Sequence, residues 1–217
     1  MNVIAVPVKD LVNAKQRLTS ALSLSERISL TRAMLHDVLR ALVAAPVDAR
    51  WIVTRDPEVT AIARDFGVEV VSEDANRGHT AAVAAAQAAA VSAGARVFAT
   101  IPGDVPCVTA DEISTLVTRA GAEGPAVVFA PSRSGLGTNG AALSPPGAMP
   151  LTFGEPSFDN HLRAARERGL VPHVLTLPGL GLDVDGPADL PLLLAHGAAT
   201  ESGRLLASFR IAERLAV

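Results

Sequence analysis

An α/β fold, one mostly parallel sheet flanked by helices, is what this sequence predicts, and three features predict it. Short Val- and Ile-rich runs recur along the chain, amphipathic stretches of helical period separate them, and Gly, Pro and Asp punctuate the joins. Strands that are apolar throughout need cover on both faces, which is the parallel-sheet arrangement.

The first run, residues 3–8, reads as a strand by its unbroken apolar character, and residues 25–44 repeat apolar positions at helical spacing. A strand over 51–54 follows. A helix over 57–66 comes next, with Asp56 as its N-cap and Pro57 as a pre-set first helical residue. Residues 68–71 give a third strand, 80–93 an Ala-rich helix and 97–101 a fourth strand. Thr109 precedes Asp111 and Glu112, a negatively charged first turn for a helix over 110–120, and 127–131 reads as a fifth strand. Segments 132–140 and 144–156 are rich in Gly, Pro and Ser and read as irregular, more like a binding loop or lid than a connection. A helix over 157–168, a strand over 171–177 and a helix over 187–196 resume the order. The apolar segment 201–217 is expected to be a docked or intersubunit helix, so a homodimer is a candidate assembly.

With 217 residues the chain has room for one sizeable core and is short for two, so 1–217 is read as a single domain. A net charge of −3, from 19 basic and 22 acidic residues, gives no electrostatic ground for a nucleic-acid or membrane partner. The absence of Tyr also disfavours a base-stacking surface. Cys107 stands alone, which excludes an internal disulfide and a Cys-based zinc cluster and fits a reducing compartment. The first apolar run is too short for a signal-peptide core, and the Ala-rich stretch 81–95 carries Gln87 and Ser92, so the expected location is the cytoplasm.

The chemistry concentrates in a few acidic and basic positions. Asp104 in Ile101-Pro102-Gly103-Asp104-Val105-Pro106, and Asp183 and Asp185 in Gly181-Leu182-Asp183-Val184-Asp185-Gly186, each follow an apolar run read as a strand. Such a fold is expected to carry three carboxylates to neighbouring strand ends, where open α/β sheets bind ligands. Carboxylates crowded in one crevice repel unless a cation joins them, and Mg²⁺ gripping a nucleotide triphosphate suits an all-oxygen set. The plainer alternative makes Asp104 a turn residue and Asp185 the cap of a helix starting at Pro187. After the first strand, Lys9-Asp10-Leu11-Val12-Asn13-Ala14-Lys15-Gln16-Arg17-Leu18 brings three cations to the place where a doubly wound sheet holds phosphate. The loop lacks the glycines of G-x-G-x-x-G or a P-loop, so Lys and Arg side chains would have to make the contacts. A solvated basic turn is the other reading of that spacing.

Taken in order, Lys9 and Ala14-Lys15-Gln16-Arg17-Leu18, Pro102-Gly103-Asp104-Val105-Pro106, Gly137-Thr138-Asn139, Gly154-Glu155-Pro156-Ser157 and Asp183-Val184-Asp185 resemble the guanylyltransferases of coenzyme F420 biosynthesis, the CofC or FbiD family. The resemblance runs from about Val3 to about Leu194. It implies a nucleotide-diphospho-sugar-transferase-like, Rossmann-like fold. It also implies transfer of GMP from GTP to the phosphate of 2-phospholactate, phosphoenolpyruvate or 3-phosphoglycerate, with release of pyrophosphate. Carried over by residue, it makes Asp104, Asp183 and Asp185 the Mg²⁺ ligands, with Asp104 also catalytic beside Lys15 and Arg17. Lys9, Lys15, Arg17 and Gly78 would bind the nucleotide, and Thr138, Gly154 and Ser157 the phosphorylated acid. The N-terminal part would then serve GTP, and residues 132–185 the acceptor and the metal. The family commonly has Gly-Leu-Asn before an Ala-rich helix, where this chain reads Arg77-Gly78-His79-Thr80-Ala81-Ala82, so base and ribose contacts there depart from the pattern. The remaining histidines, His36, His161, His173 and His196, have no metal-like spacing and receive no role. A cytidylyltransferase or glycosyltransferase of the same fold is the enzymatic alternative, and a catalytically silent nucleotide-binding protein the other.

Overall fold

The computed structural model describes residues 1–72, 78–122 and 124–215, which leaves Arg77 outside. Seven strands form one sheet: β1 (Asn2–Pro7), β2 (Ala49–Thr54), β3 (Glu69–Ser72), β4 (Val97–Thr100), β5 (Ala126–Pro131), β6 (Thr138–Ser144) and β7 (Pro172–Val174). Their spatial order is β3-β2-β1-β4-β6-β5-β7. All pairings are parallel except those of β6, which runs antiparallel to both β4 and β5.

Side chains alternate across the sheet as the pleat requires. From β1, Ile4 and Val6 enter a core with Leu35 and Leu39 of α1 (Leu24–Ala44), Ile62 of α2 (Pro57–Asp65) and Leu116 of α4 (Ala110–Gly121). Val3 and Ala5 enter the opposite core with Ala82, Ala86 and Ala90 of α3 (His79–Ser92) and Ala165 of α5 (Ser157–Arg166). The expected caps are present. Asp56 accepts from the N–H groups of Glu58 and Val59, and Thr109 and Glu112 form a reciprocal capping box.

Three expectations change. Residues 138–140 and 144, expected to be irregular, belong to the fully buried β6. The apolar run before Asp183 is not one strand: β7 stops at Val174 and a short helix, α6 (Pro178–Gly181), takes over. The helix expected over 187–196 begins as a 3₁₀ turn (Pro187–Asp189) before α7 (Leu190–His196). The C-terminal segment is docked, as two helices, α8 (Glu201–Ser208) and α9 (Ile211–Leu215). The buried Asp37 carboxylate on α1 accepts from the N–H groups of Glu201 and Ser202, closing the α8 N-terminus. Among the described residues no helix is long and apolar enough to cross a membrane.

Candidate active site

β1 is followed in space by β2 on one side and β4 on the other, so the chain's winding reverses between β1 and β4. At such a switch point the loops leaving the two strands diverge and open a crevice beyond their carboxyl ends. The loop after β1 carries Lys9 and Lys15, and the loop after β4 carries Asp104.

Lys15 sits at the centre. Its Nζ donates to Asp104 Oδ2 and, at 2.6 Å, to Asp185 Oδ1, and its side chain is only 8% exposed. Burial by itself pulls the Lys15 pKa down, but the two carboxylates outweigh it and raise the pKa above the usual lysine value. The backbone at Lys15 is left-handed, with φ 56°, a conformation that costs a residue with a Cβ about 1 kcal/mol or more. Arg27 helps to hold it there: this buried guanidinium donates through Nη1 to the Ala14 carbonyl at 2.9 Å.

Asp183 and Asp185 approach Asp104 because Val184 N–H donates to the Asp104 carbonyl at 3.1 Å, zipping the two loops together. Val184 is itself fixed in a third apolar cluster with Leu18, Leu22, Leu30, Leu206 and Ile211. Asp183 accepts from Asn139 Nδ2 at 3.0 Å. Its pKa is raised, first by burial and then by the neighbouring Asp104 and Asp185 charges, which outweigh the Asn139 hydrogen bond. The plain alternative for Asp185 does not hold: Gly186 occupies the cap position of the 3₁₀ turn, and the side chain that bonds back there is that of Asp189, which accepts from the Asp185 and Gly186 N–H groups. Among the described residues no three acidic, His or Cys side chains already close around one point at ligand distance. The three carboxylates nonetheless offer only oxygen, and the Lys15 ammonium shows that a cation fits between two of them.

Recesses open on both sides of Lys15. One of about 350 Å³ is lined by Lys9, Arg55, Asp56, Gly78 and His79, and it continues into one of about 620 Å³ lined by Lys9, Asn13, Lys15, His79, Asp104 and Asp185. Gly78 stands at the N-terminus of α3 with φ 95°, which favours glycine. The His79 pKa is lowered, mainly by burial. On the other side, Lys15, Gln16, Arg17, Glu155 and Asp185 line a recess of about 470 Å³. Arg17, grouped by sequence with Lys9 and Lys15, thus lies next to the loop of Gly154 and Glu155.

Two of the three expected acceptor residues, Thr138 and Ser157, are in contact. Ser157 Oγ accepts from Thr138 N–H at 3.0 Å, and Thr138 Oγ1 meets His161 Nδ1 at 2.9 Å. Gly154, at φ 115°, lies three positions before Ser157 in the chain. The same loop is tied to the start of α3: Thr80 Oγ1 accepts from Phe153 N–H, and the His79 ring meets Phe153 edge-on at 4.6 Å. Sequence reasoning assigned nothing to His161 or Arg27. His161 follows Ser157 by four positions in α5, one helical turn on the same face, and that spacing was the available signal.

Known proteins resemble this chain in sequence and fold. A family model described as guanylyl transferase, CofC like, matches residues 1–215. The chain belongs to this CofC-like guanylyl transferase family. It is 38% identical to a phosphoenolpyruvate guanylyltransferase of Rubrobacter xylanophilus, over 91% of this chain and 96% of that one. It is 37% identical to a 2-phospho-L-lactate guanylyltransferase of Methanothermobacter thermautotrophicus, over 94% and 89% of the two chains. A solved structure of a candidate nucleotide-diphospho-sugar transferase from Desulfovibrio desulfuricans G20 superposes with a TM-score of 0.78 at 15% identity, covering 96% of this chain and 95% of that one. That likeness bears on the fold.

Proposed function

We propose that this protein transfers GMP from GTP to the phosphate of a small phosphorylated three-carbon acid, phosphoenolpyruvate, 2-phospholactate or 3-phosphoglycerate, releasing pyrophosphate in coenzyme F420 biosynthesis. The observation that carries the reading is the buried Lys15 ammonium shared by Asp104 and Asp185, with a recess on each side of it. Two substrates meeting at such a charge centre is what a nucleotidyl transfer needs. Family membership supports guanylyl transfer as the chemistry.

Lys9, with Gly78 and His79, borders the recess assigned to the nucleotide, and Lys15 faces the phosphates as a point charge. Arg17 borders the recess assigned to the acceptor, where its planar fork suits a carboxylate or phosphate. Thr138, Gly154 and Ser157 would hold the acid. A phosphomonoester's second pKa is near 6, so at neutral pH the acceptor is already a nucleophile and needs no general base. Catalysis then rests on alignment of the acceptor oxygen with the α-phosphorus and on neutralising charge as pyrophosphate leaves. Asp104, Asp183 and Asp185 would hold Mg²⁺, which when bound supplies charge neutralisation on the triphosphate. A single cysteine, Cys107, free of any disulfide, supports a cytoplasmic setting.

The test is a pyrophosphate-release screen of GTP, CTP, ATP and UTP against the three acids with Mg²⁺. Release with GTP and one or more of the acids is expected. A preference for CTP, or no release with any pair, overturns the reading.

A further inference from the structure

The hydrogen bonds around His161 fix where three protons lie. Thr152 N–H, which can only donate, points at His161 Nε2 from 3.0 Å, so Nε2 is the acceptor. The ring is buried, 2% exposed, stacked on Phe129 at 5.2 Å and touched edge-on by Phe153. Burial pushes its pKa down to about 4, so the imidazole is neutral at physiological pH and carries one proton. With Nε2 accepting, that proton is on Nδ1 and is donated to Thr138 Oγ1, 2.9 Å away.

Thr138 Oγ1 also receives the Ser157 hydroxyl at 3.4 Å, a long bond, while Ser157 Oγ accepts from Thr138 N–H. Both lone pairs of Thr138 Oγ1 are therefore engaged by donors. A hydroxyl in that state has one capacity left, its own proton, and among the described residues no acceptor takes it.

We infer that His161 is a positioning residue for the acceptor site: it holds the Thr138 hydroxyl as a hydrogen-bond donor, which makes that site selective for an anion. The inference rests on the assignment of Thr138 to the phosphorylated acid. Without His161, Thr138 Oγ1 loses the shorter of its two donors and its hydroxyl is free to reorient. Lys9 and His79, which border the GTP recess, take part in none of these hydrogen bonds, although the Phe153 ring lies edge-on to both His79 and His161.

The experiment has two arms. Long-range ¹H–¹⁵N NMR of the unmodified protein is expected to show His161 as the Nδ1–H tautomer, and an Nε2–H tautomer overturns the inference even if every variant misfolds. In kinetics with each substrate varied separately, His161→Phe keeps the ring stacking and removes both hydrogen bonds. It is expected to raise the acceptor KM roughly three- to tenfold and leave the GTP KM unchanged, the scale of weakening one hydrogen bond to an ion. His161→Gln, with a donor and an acceptor, is expected to recover part of the loss. An unchanged acceptor KM in His161→Phe, or equal rises for both substrates, overturns the inference. Thr138→Val separates its failure from that of the underlying assignment. If Thr138→Val raises the acceptor KM and His161→Phe does not, only the inference falls; if Thr138→Val has no effect either, the acceptor assignment falls with it.

Discussion

Lys15 and Asp185, 170 positions apart in the chain, are joined by an ion pair of 2.6 Å that also includes Asp104. An ammonium held between two carboxylates competes with any metal ion for the same oxygens. Lys15→Met should therefore bind Mg²⁺ several-fold more tightly in the absence of nucleotide, while its turnover falls at least about tenfold. Calorimetric titration with Mg²⁺ and steady-state kinetics on one preparation measure both. Weaker Mg²⁺ binding in the variant contradicts the competition.

The pH dependence follows from the same pair. Because the folded-state pKa of Lys15 is raised, the stability and charge it contributes are fully present below the ordinary lysine value and are lost only as pH rises through the higher folded value. A kcat/KM profile should accordingly show no basic limb from Lys15 between pH 7 and about pH 10. A limb in that range that disappears in Lys15→Arg would assign a lower pKa to Lys15 and contradict the ion pair.

Asp104→Asn, Asp183→Asn and Asp185→Asn should each lower turnover by about a hundredfold or more with the fold retained. Asp183→Asn should additionally raise the melting temperature of the metal-free protein by about 1–3 °C. The sign comes from its raised pKa: the ionised form is disfavoured in the folded state, so stability drops as pH rises through that pKa and neutralisation restores it. Near-normal turnover in all three variants, or a melting temperature that falls in Asp183→Asn, argues against this electrostatic account.

Arg17→Ala and Lys9→Ala should split the two substrates. Lys9 lines the recess beside Gly78 and His79, and Arg17 the one beside Glu155. Losing Arg17 should raise the acceptor KM by roughly ten- to a hundredfold and losing Lys9 the GTP KM by a similar factor, each leaving the other substrate nearly unaffected. The opposite split means that the recesses are assigned the wrong way round.

Gly179→Ala should destabilise the fold by about 2–4 kcal/mol. A Cβ there would lie 2.1 Å from the Cys107 carbonyl oxygen, so α6 must shift, and Asp183 follows α6 closely in the chain. Urea denaturation tests the prediction, and a midpoint equal to that of the unmodified protein refutes the contact.

How far the sequence reveals the site varies from residue to residue. The parallel half was readable because β1, β2 and β4 are continuous apolar runs and because Asp56 and Thr109 carry cap chemistry in their own side chains. β6 was hidden because Thr138-Asn139-Gly140-Ala141-Ala142 looks like a turn-rich segment. Its small residues are a packing requirement, as a Cβ at Gly140 would meet Leu180 Cδ2 at 2.8 Å. Asp104, Asp183 and Asp185 were legible as acids in a ligand-binding position. That a lysine, held left-handed by the Ala14–Arg27 hydrogen bond, would seat itself between two of them depends on contacts made by residues far apart in the chain. His161 was missed for a related reason, because a histidine acquires meaning from what faces each ring nitrogen, and Thr138 and Thr152 are known only after folding.

The reversed strand β6 leaves this enzyme open to change on one side only. Because β6 runs against β4 and β5, Thr138 begins an interior strand at the end of the sheet where those two neighbours finish, delivered by the short turn after Pro131. Insertions or deletions in that turn, or in the segment between β6 and α5, leave the pairing of β1, β2, β3 and β4 untouched. On the proposed assignment of the two substrates, a change of acceptor would require altering only a hairpin and a loop, with the β1–β4 half retained.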